Sequence, residues 1–245
     1  MTTLLLYKEI KALNREEHRT LKLRTAQNCE FAAATHLVPV AGLEFFQAAR
    51  HYPLVFIGEG DKAMPIALLG LKDGHNGYLD GDHQWQANTY IPAFVRRYPF
   101  VMAQDDATFT VCFDAAYDGW NVETGRELFD AEGRNSEFLD EMIQFLQNFT
   151  AEMERTRLFV AKLNELELLS SRTLTLTHAS GETFVLSDFQ AVDEAKFLGL
   201  ADEQVLELHR SGFLGWIYAH LMSLGNTNQL FDDYLKRKGG EVARH

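Results

Sequence analysis

The chain has 245 residues, of which 46% are hydrophobic and 24% charged, with a net charge of −12 and a pI near 5.2. That length and its 18 Phe, 8 Tyr and 3 Trp exclude a disordered chain, because so much apolar surface calls for a core. The acidic balance excludes a general phosphate-binding surface, so no nucleic-acid partner is expected.

At the start, Met1 to Glu9 has no basic segment ahead of its apolar residues and meets charge within a few positions, so it does not read as a secretory signal. Residues 1–24 carry six basic side chains against three acidic ones, whereas residues 101–145 carry eleven acidic ones against Arg126 and Arg134 alone. Two solvated faces explain this, and so does attraction of the two regions for each other or for a partner, which salt would weaken. Residues 37–40 read as a strand, 42–50 as a helix with Leu43, Phe46 and Gln47 at helical spacing, and 54–57 as a strand opened by Tyr52-Pro53. A turn at 58–61 leads to a strand over 65–71, and residues 78–85 read as a third strand interrupted at Asp80-Gly81-Asp82. An antiparallel meander is the simplest arrangement of these pieces. A short helix over 91–97 stops at Tyr98-Pro99, and residues 100–103 pair with 108–113 across the connection 104–107.

The turn region 130–135 is the natural boundary between a β-rich half, 1–130, and a helical half, 136–235. With no linker or repeat between them, 1–245 reads as a single domain with that subdivision as the alternative. Ser136 caps a helix whose Phe138, Met142, Phe145, Phe149 and Met153 recur at steps of three and four, continued by Val160 and Leu163. Unbroken as far as Leu169, it would run roughly 51 Å; a break within 150–157 is the alternative. Alternation over 173–177, a turn at 179–181 and a return at 184–186 insert a hairpin. A helix over 202–209, a break at Ser211-Gly212 and a helix over 213–224 follow. Phe213, Trp216, Ile217, His220, Leu221 and Leu224 form a stripe expected to be buried, Gly225-Asn226 a stop, and 236–245 a frayed polar tail. The expected fold is α+β, an antiparallel β meander in the N-terminal half packed on a mainly helical C-terminal half containing one hairpin. No window approaches the roughly 18–20 apolar residues of a membrane span, so no membrane insertion and a cytoplasmic location are expected.

Most motif-borne chemistry is set aside. Cys29 and Cys112 stand far apart, which leaves one disulfide or two free thiols and no zinc ligand set. Gly58-x-Gly60 lacks a third glycine and precedes a strand, Asp80-Gly81-Asp82 and Asp105-Asp106 lack calcium-loop spacing, and no G-x-S-x-G is present. The helix after Ser211-Gly212 carries Phe, Leu, Trp, Ile and Tyr where a DNA-reading helix needs Arg, Lys, Asn or Gln. No cofactor is therefore expected.

Several segments together resemble the SapC-like family of bacteria. They are Leu13-Asn14-Arg15-Glu16-Glu17-His18, Ala48-Ala49-Arg50-His51-Tyr52-Pro53-Leu54-Val55-Phe56, Ala67-Leu68-Leu69-Gly70-Leu71, Tyr90-Ile91-Pro92-Ala93-Phe94-Val95-Arg96-Arg97-Tyr98-Pro99-Phe100, and Ile217-Tyr218-Ala219-His220-Leu221-Met222-Ser223-Leu224. The run from Tyr90 to Phe100 is the most specific. The resemblance implies a link to bacterial surface-layer protein and to genes near outer-membrane receptors and halogenase-like flavoproteins. It carries over no catalytic residue.

Five positions stand out as candidate ligand-binding residues. His18, in a basic segment, offers a general acid/base or ligand gate, as the histidine side chain can, or else simply fixes the N-terminal arm by a hydrogen bond. Arg96 and Arg97, with Tyr90 nearby, offer forked donors for a carboxylate or phosphate, or else neutralise the end of their own helix. His220 sits on the apolar stripe as a buried neutral imidazole or, alternatively, a ligand contact. The leading expectation is a non-catalytic accessory or binding protein engaging a protein partner or a small anionic or peptide ligand, with homo-oligomerisation open. The alternative is a metal-independent enzyme with a histidine acid/base, which requires His18 or His220 to converge with Arg96 or Arg97 in one pocket.

Overall fold

The computed structural model describes residues 5–25, 28–105, 108–178 and 181–242. Residues 106–107 of the expected connection 104–107, residues 179–180 of the expected turn 179–181, and the last three residues of the expected tail lie outside these. The strands are β1 (Ile10–Ala12), β2 (Lys22–Leu23), β3 (Leu37–Pro39), β4 (Leu54–Ile57), β5 (Met64–Leu68), β6 (Phe100–Asp105), β7 (Thr108–Asp114), β8 (Trp120–Asn121), β9 (Arg126–Glu127), β10 (Leu169–Thr177) and β11 (Thr183–Val192). The helices are α1 (Phe45–Ala48), α2 (Ala93–Arg96), α3 (Glu137–Glu165), α4 (Glu194–Leu198), α5 (Asp202–Ser211), α6 (Phe213–Ser223) and α7 (Asn226–Val242).

The fold is α+β, with antiparallel sheets in the N-terminal half and helices in the C-terminal half. Its largest sheet has the order β10-β11-β4-β5-β3, antiparallel throughout. Strands β4 and β5 bury nearly every side chain, as the unbroken apolar runs Leu54-Val55-Phe56 and Ile66-Ala67-Leu68 require of central strands. The strand order is not a simple meander, because β3 joins beyond β5. The expected third strand over 78–85 is only a bridge between Leu79 and Trp85. Asp80 explains this: its Oδ1 accepts from Asp82 N at 2.9 Å and Gln84 N at 2.8 Å, which folds the segment into a tight turn.

The basic N-terminal arm lies on the acidic region that follows residue 100. Strand β1 adds to the β6–β7 hairpin, and β2 sits between β8 and β9. One ion pair, Lys22 with Glu127 at 3.0 Å, joins the two regions here. The stronger tie is Asp114, a fully buried carboxylate that accepts from Lys8 N, Glu9 N, Ala116 N and the Tyr98 hydroxyl. Burial alone would raise its pKa, but these four donors outweigh burial and hold it below the ordinary carboxylate value.

Helix α3 runs unbroken for 29 residues, roughly 44 Å. Ser136 Oγ accepts from Leu139 N as its N-cap. Helix α3 stops short of Leu169 because Glu167 turns to a φ of +52° and Leu168 N reaches back to Leu163 O. Its first half packs on a small core of Leu23, Phe100, Phe113, Leu128, Phe129, Leu139 and Leu146, and its second half places Phe159, Val160 and Leu163 in the larger core.

The expected tail needs correction, since α7 carries the chain in helix from Asn226 to Val242. Leu230 and Phe231 are buried and Tyr234 and Leu235 half-buried, an apolar face that holds the helix down.

Candidate functional site

The two candidate histidines lie in different settings. His18 is in a turn, where its Nδ1 accepts from Asn14 N at 2.9 Å and its ring meets Phe113 edge-on. His220 is completely buried between α6 and the main sheet. Its Nδ1 lies 2.9 Å from Leu54 O, and its Nε2 accepts from Val192 N at 3.0 Å. Gln190 of β11 faces Phe56 of β4, and in the same register Val192 would face Leu54. The imidazole therefore stands in for a rung of the ladder, donating to one strand and accepting from the other. That role fixes the neutral tautomer, and burial, only partly opposed by the Leu54 contact, lowers its pKa to about 4.

Tyr90 and Arg96 are brought together. Pro92 opens the short helix α2, and its single turn aims Arg96 back along the preceding chain, so that Nε donates to Ile91 O at 3.0 Å and Nη2 to the Tyr90 hydroxyl at 3.1 Å. The same hydroxyl donates to Glu44 Oε1 at 2.7 Å. Glu44 is buried and also accepts from Ala93 N and Ala41 N, which pins the Tyr90–Arg96 segment to the main core. Burial first, then the Glu44 carboxylate, raise the Tyr90 phenol to about 12, so it stays a donor. The Arg96 guanidinium also lies over the rings of Tyr90 and Phe145, at 5.6 and 5.3 Å. Arg97 points elsewhere: its guanidinium is enclosed by Phe94, Phe149 and Tyr7, and its buried Nε has no hydrogen-bond partner. Burial lowers its pKa, partly opposed by Tyr7.

Two large cavities flank α3. One of about 830 Å³ lies between Ala63, Met64 and Pro65, Phe109, and the middle of α3. Its charged Arg157 is already held by Glu154, with Nη2 to Oε1 at 2.8 Å. The other, of about 490 Å³, lies at the seam between the two cores. Arg96 and Arg126 both line it, with Phe31, Trp85, Tyr98 and Phe138 among its walls. Neither cavity is lined by His18, Arg97 or His220. Among the described residues, no three His, Cys, Asp or Glu side chains group as a metal-ligand set. No helix among them is long and apolar enough to cross a membrane. Both cysteines are free, with Cys29 on the second cavity and Cys112 buried in β7.

A family model described as SapC matches residues 13–230. The chain belongs to the SapC family. No curated protein and no solved structure matches it. In this SapC chain the Tyr90–Phe100 run that carried the resemblance supplies Tyr90, Arg96, Tyr98 and Phe100 to one region, three of them on the smaller cavity. Arg126 is the residue that sequence reasoning missed. The one available signal was its place as one of two basic residues in an acidic stretch; only the pairing of β9 with β2 brings it to the cavity.

An exposed apolar strip is also present. Phe46 of α1 packs over Gly215 of α6, and Tyr218 and Met222 continue one and two turns along that face. Phe46, Tyr218 and Met222 are 57%, 51% and 79% exposed.

Proposed function

We propose that this SapC protein is a non-catalytic accessory protein of the cytoplasm that holds a small anionic ligand at Arg96. The observation that supports this most is an oriented guanidinium at a cavity mouth with no carboxylate paired to it among the described residues. A salt bridge or forked hydrogen bond to an incoming anion supplies what is missing. The walls support binding rather than catalysis. An acid/base mechanism needs a group poised near the working pH within hydrogen-bond reach of the substrate, and the described lining offers only Cys29, Tyr98 and Tyr117, all raised by burial. The family resemblance supports a place beside surface-layer, uptake or modification pathways. The test is a thermal-melt series with sodium acetate and sodium phosphate at constant ionic strength. Anions should raise the Tm of the wild type and not that of Arg96→Gln; equal responses in both would remove Arg96 from the site.

A protein partner is the second reading, favoured by the exposed strip of Phe46, Tyr218 and Met222. Under that reading, self-association or complex formation on a sizing column is lost in Met222→Lys, while the anion response is unchanged.

A further inference from the structure

The smaller cavity is built for more than an anion. Six of its described lining residues are aromatic: Phe31, Trp85, Tyr98, Phe100, Tyr117 and Phe138. The polar ends of three of them are committed elsewhere. Trp85 Nε1 donates to the Tyr52 hydroxyl at 3.1 Å, Tyr98 Oη to Asp114 Oδ2 at 3.1 Å, and Tyr117 Oη to Arg24 O at 3.0 Å. These residues therefore turn ring faces and edges, rather than donors, toward whatever lies between them. Phe31 and Tyr98 are themselves stacked at 4.1 Å with their planes 14° apart, which stiffens that wall.

The charge on the wall is of one sign. Arg126 lies over Phe138 at 5.0 Å, and Arg96 over Phe145, seven residues further along α3. Among the described residues Arg126, like Arg96, has no ion pair, even though the chain carries a net charge of −12. Among the described residues Arg96 is oriented by two hydrogen bonds, from Nε and Nη2, whereas the Arg126 side chain is held by its contact with the Phe138 ring.

We infer that the cavity takes a planar aromatic acid, its ring system between the aromatic walls and its carboxylate on Arg96, with Arg126 as a second cation on the same wall. This rests on the anion-binding reading above and names the ligand class. A volume of about 490 Å³ accommodates a bicyclic ring system with room for substituents. Stacking explains why an aromatic body is preferred over a saturated one of similar size.

The experiment is calorimetric titration of the full chain with 1-naphthoate, its neutral counterpart 1-naphthalenemethanol, the saturated cyclohexanecarboxylate, and inorganic phosphate. It is accompanied by the rate of alkylation of Cys29, which lines the cavity while Cys112 is buried. 1-Naphthoate should bind at least about tenfold more tightly than the other three and should slow alkylation of Cys29. Arg96→Gln should weaken it by about tenfold or more and Arg126→Gln by less, while Arg157→Gln, in the other cavity, changes nothing. Equal binding of cyclohexanecarboxylate overturns the aromatic class and leaves the anion site standing. Binding of 1-naphthoate that neither protects Cys29 nor depends on the arginines overturns the location. If no anion binds to variants and wild type that melt cooperatively, both this inference and the anion-binding reading fall.

Discussion

At the scale of single residues, His220 shows how a polar position on an apolar stripe serves the fold. His220 stands on the apolar stripe of α6 and bridges two strands as a neutral ring, with folded pKa lowered from 6.5 to about 4. Between these values the unfolded chain binds a proton that the folded chain refuses. Its stabilising contribution is therefore complete above pH 6.5 and is lost as the pH falls toward 4. The full interval corresponds to about 3 kcal/mol. Urea midpoints across this range for the wild type and His220→Gln measure it, since carboxylate effects are common to both. The wild type should lose stability more steeply, and parallel curves would show that the ring is protonated in the fold. Position on the stripe foretold burial of His220, but not its substitution for a ladder rung, which depends on strands separated from it by 28 and 166 residues.

At the scale of elements, α3 connects the two cores and the cavities, and its polar positions matter as much as its apolar ones. Thr156 is buried and its Oγ1 accepts from Gly42 N at 2.8 Å while donating to Glu152 O. Thr150, half-buried, bonds among the described residues to Leu146 O of its own helix. Thr156→Val should cost on the order of 2 kcal/mol, because it strands a buried amide, whereas Thr150→Val should be close to neutral. Chemical denaturation of the two variants checks this, and equal costs would show that the Gly42 contact contributes nothing. Helix α3 was legible because a cap and a long stripe are local signals. Strands β2, β8 and β9 were not, since each is two residues long and exists only through partners about a hundred residues away. Helix α7 was hidden by Gly225-Asn226 and a charged C-terminal stretch, which outweighed the short apolar face of Leu230, Phe231, Tyr234 and Leu235.

At the scale of the whole molecule, elements from both sides of the 130–135 turn share one sheet, because β11 lies beside β4. We propose on this ground that the chain unfolds as a single cooperative unit, so that urea curves followed by far-UV and near-UV circular dichroism coincide. Two separated transitions would show independent halves. The Tyr90–Arg96 half of the candidate site was legible, as those residues are six apart; Arg126 was not, because it joins them only after the N-terminal arm has threaded β2 between β8 and β9.

The described lining of the proposed site holds no His, Asp or Glu. Burial raises the thiol of Cys29 and, with neighbouring charges, the phenols of Tyr98 and Tyr117. The decisive measurement is the affinity for 1-naphthoate between pH 6 and 8, at fixed ionic strength. A flat profile is expected. A change of about tenfold centred near pH 6.5 would place a histidine against the ligand and contradict binding without acid/base chemistry.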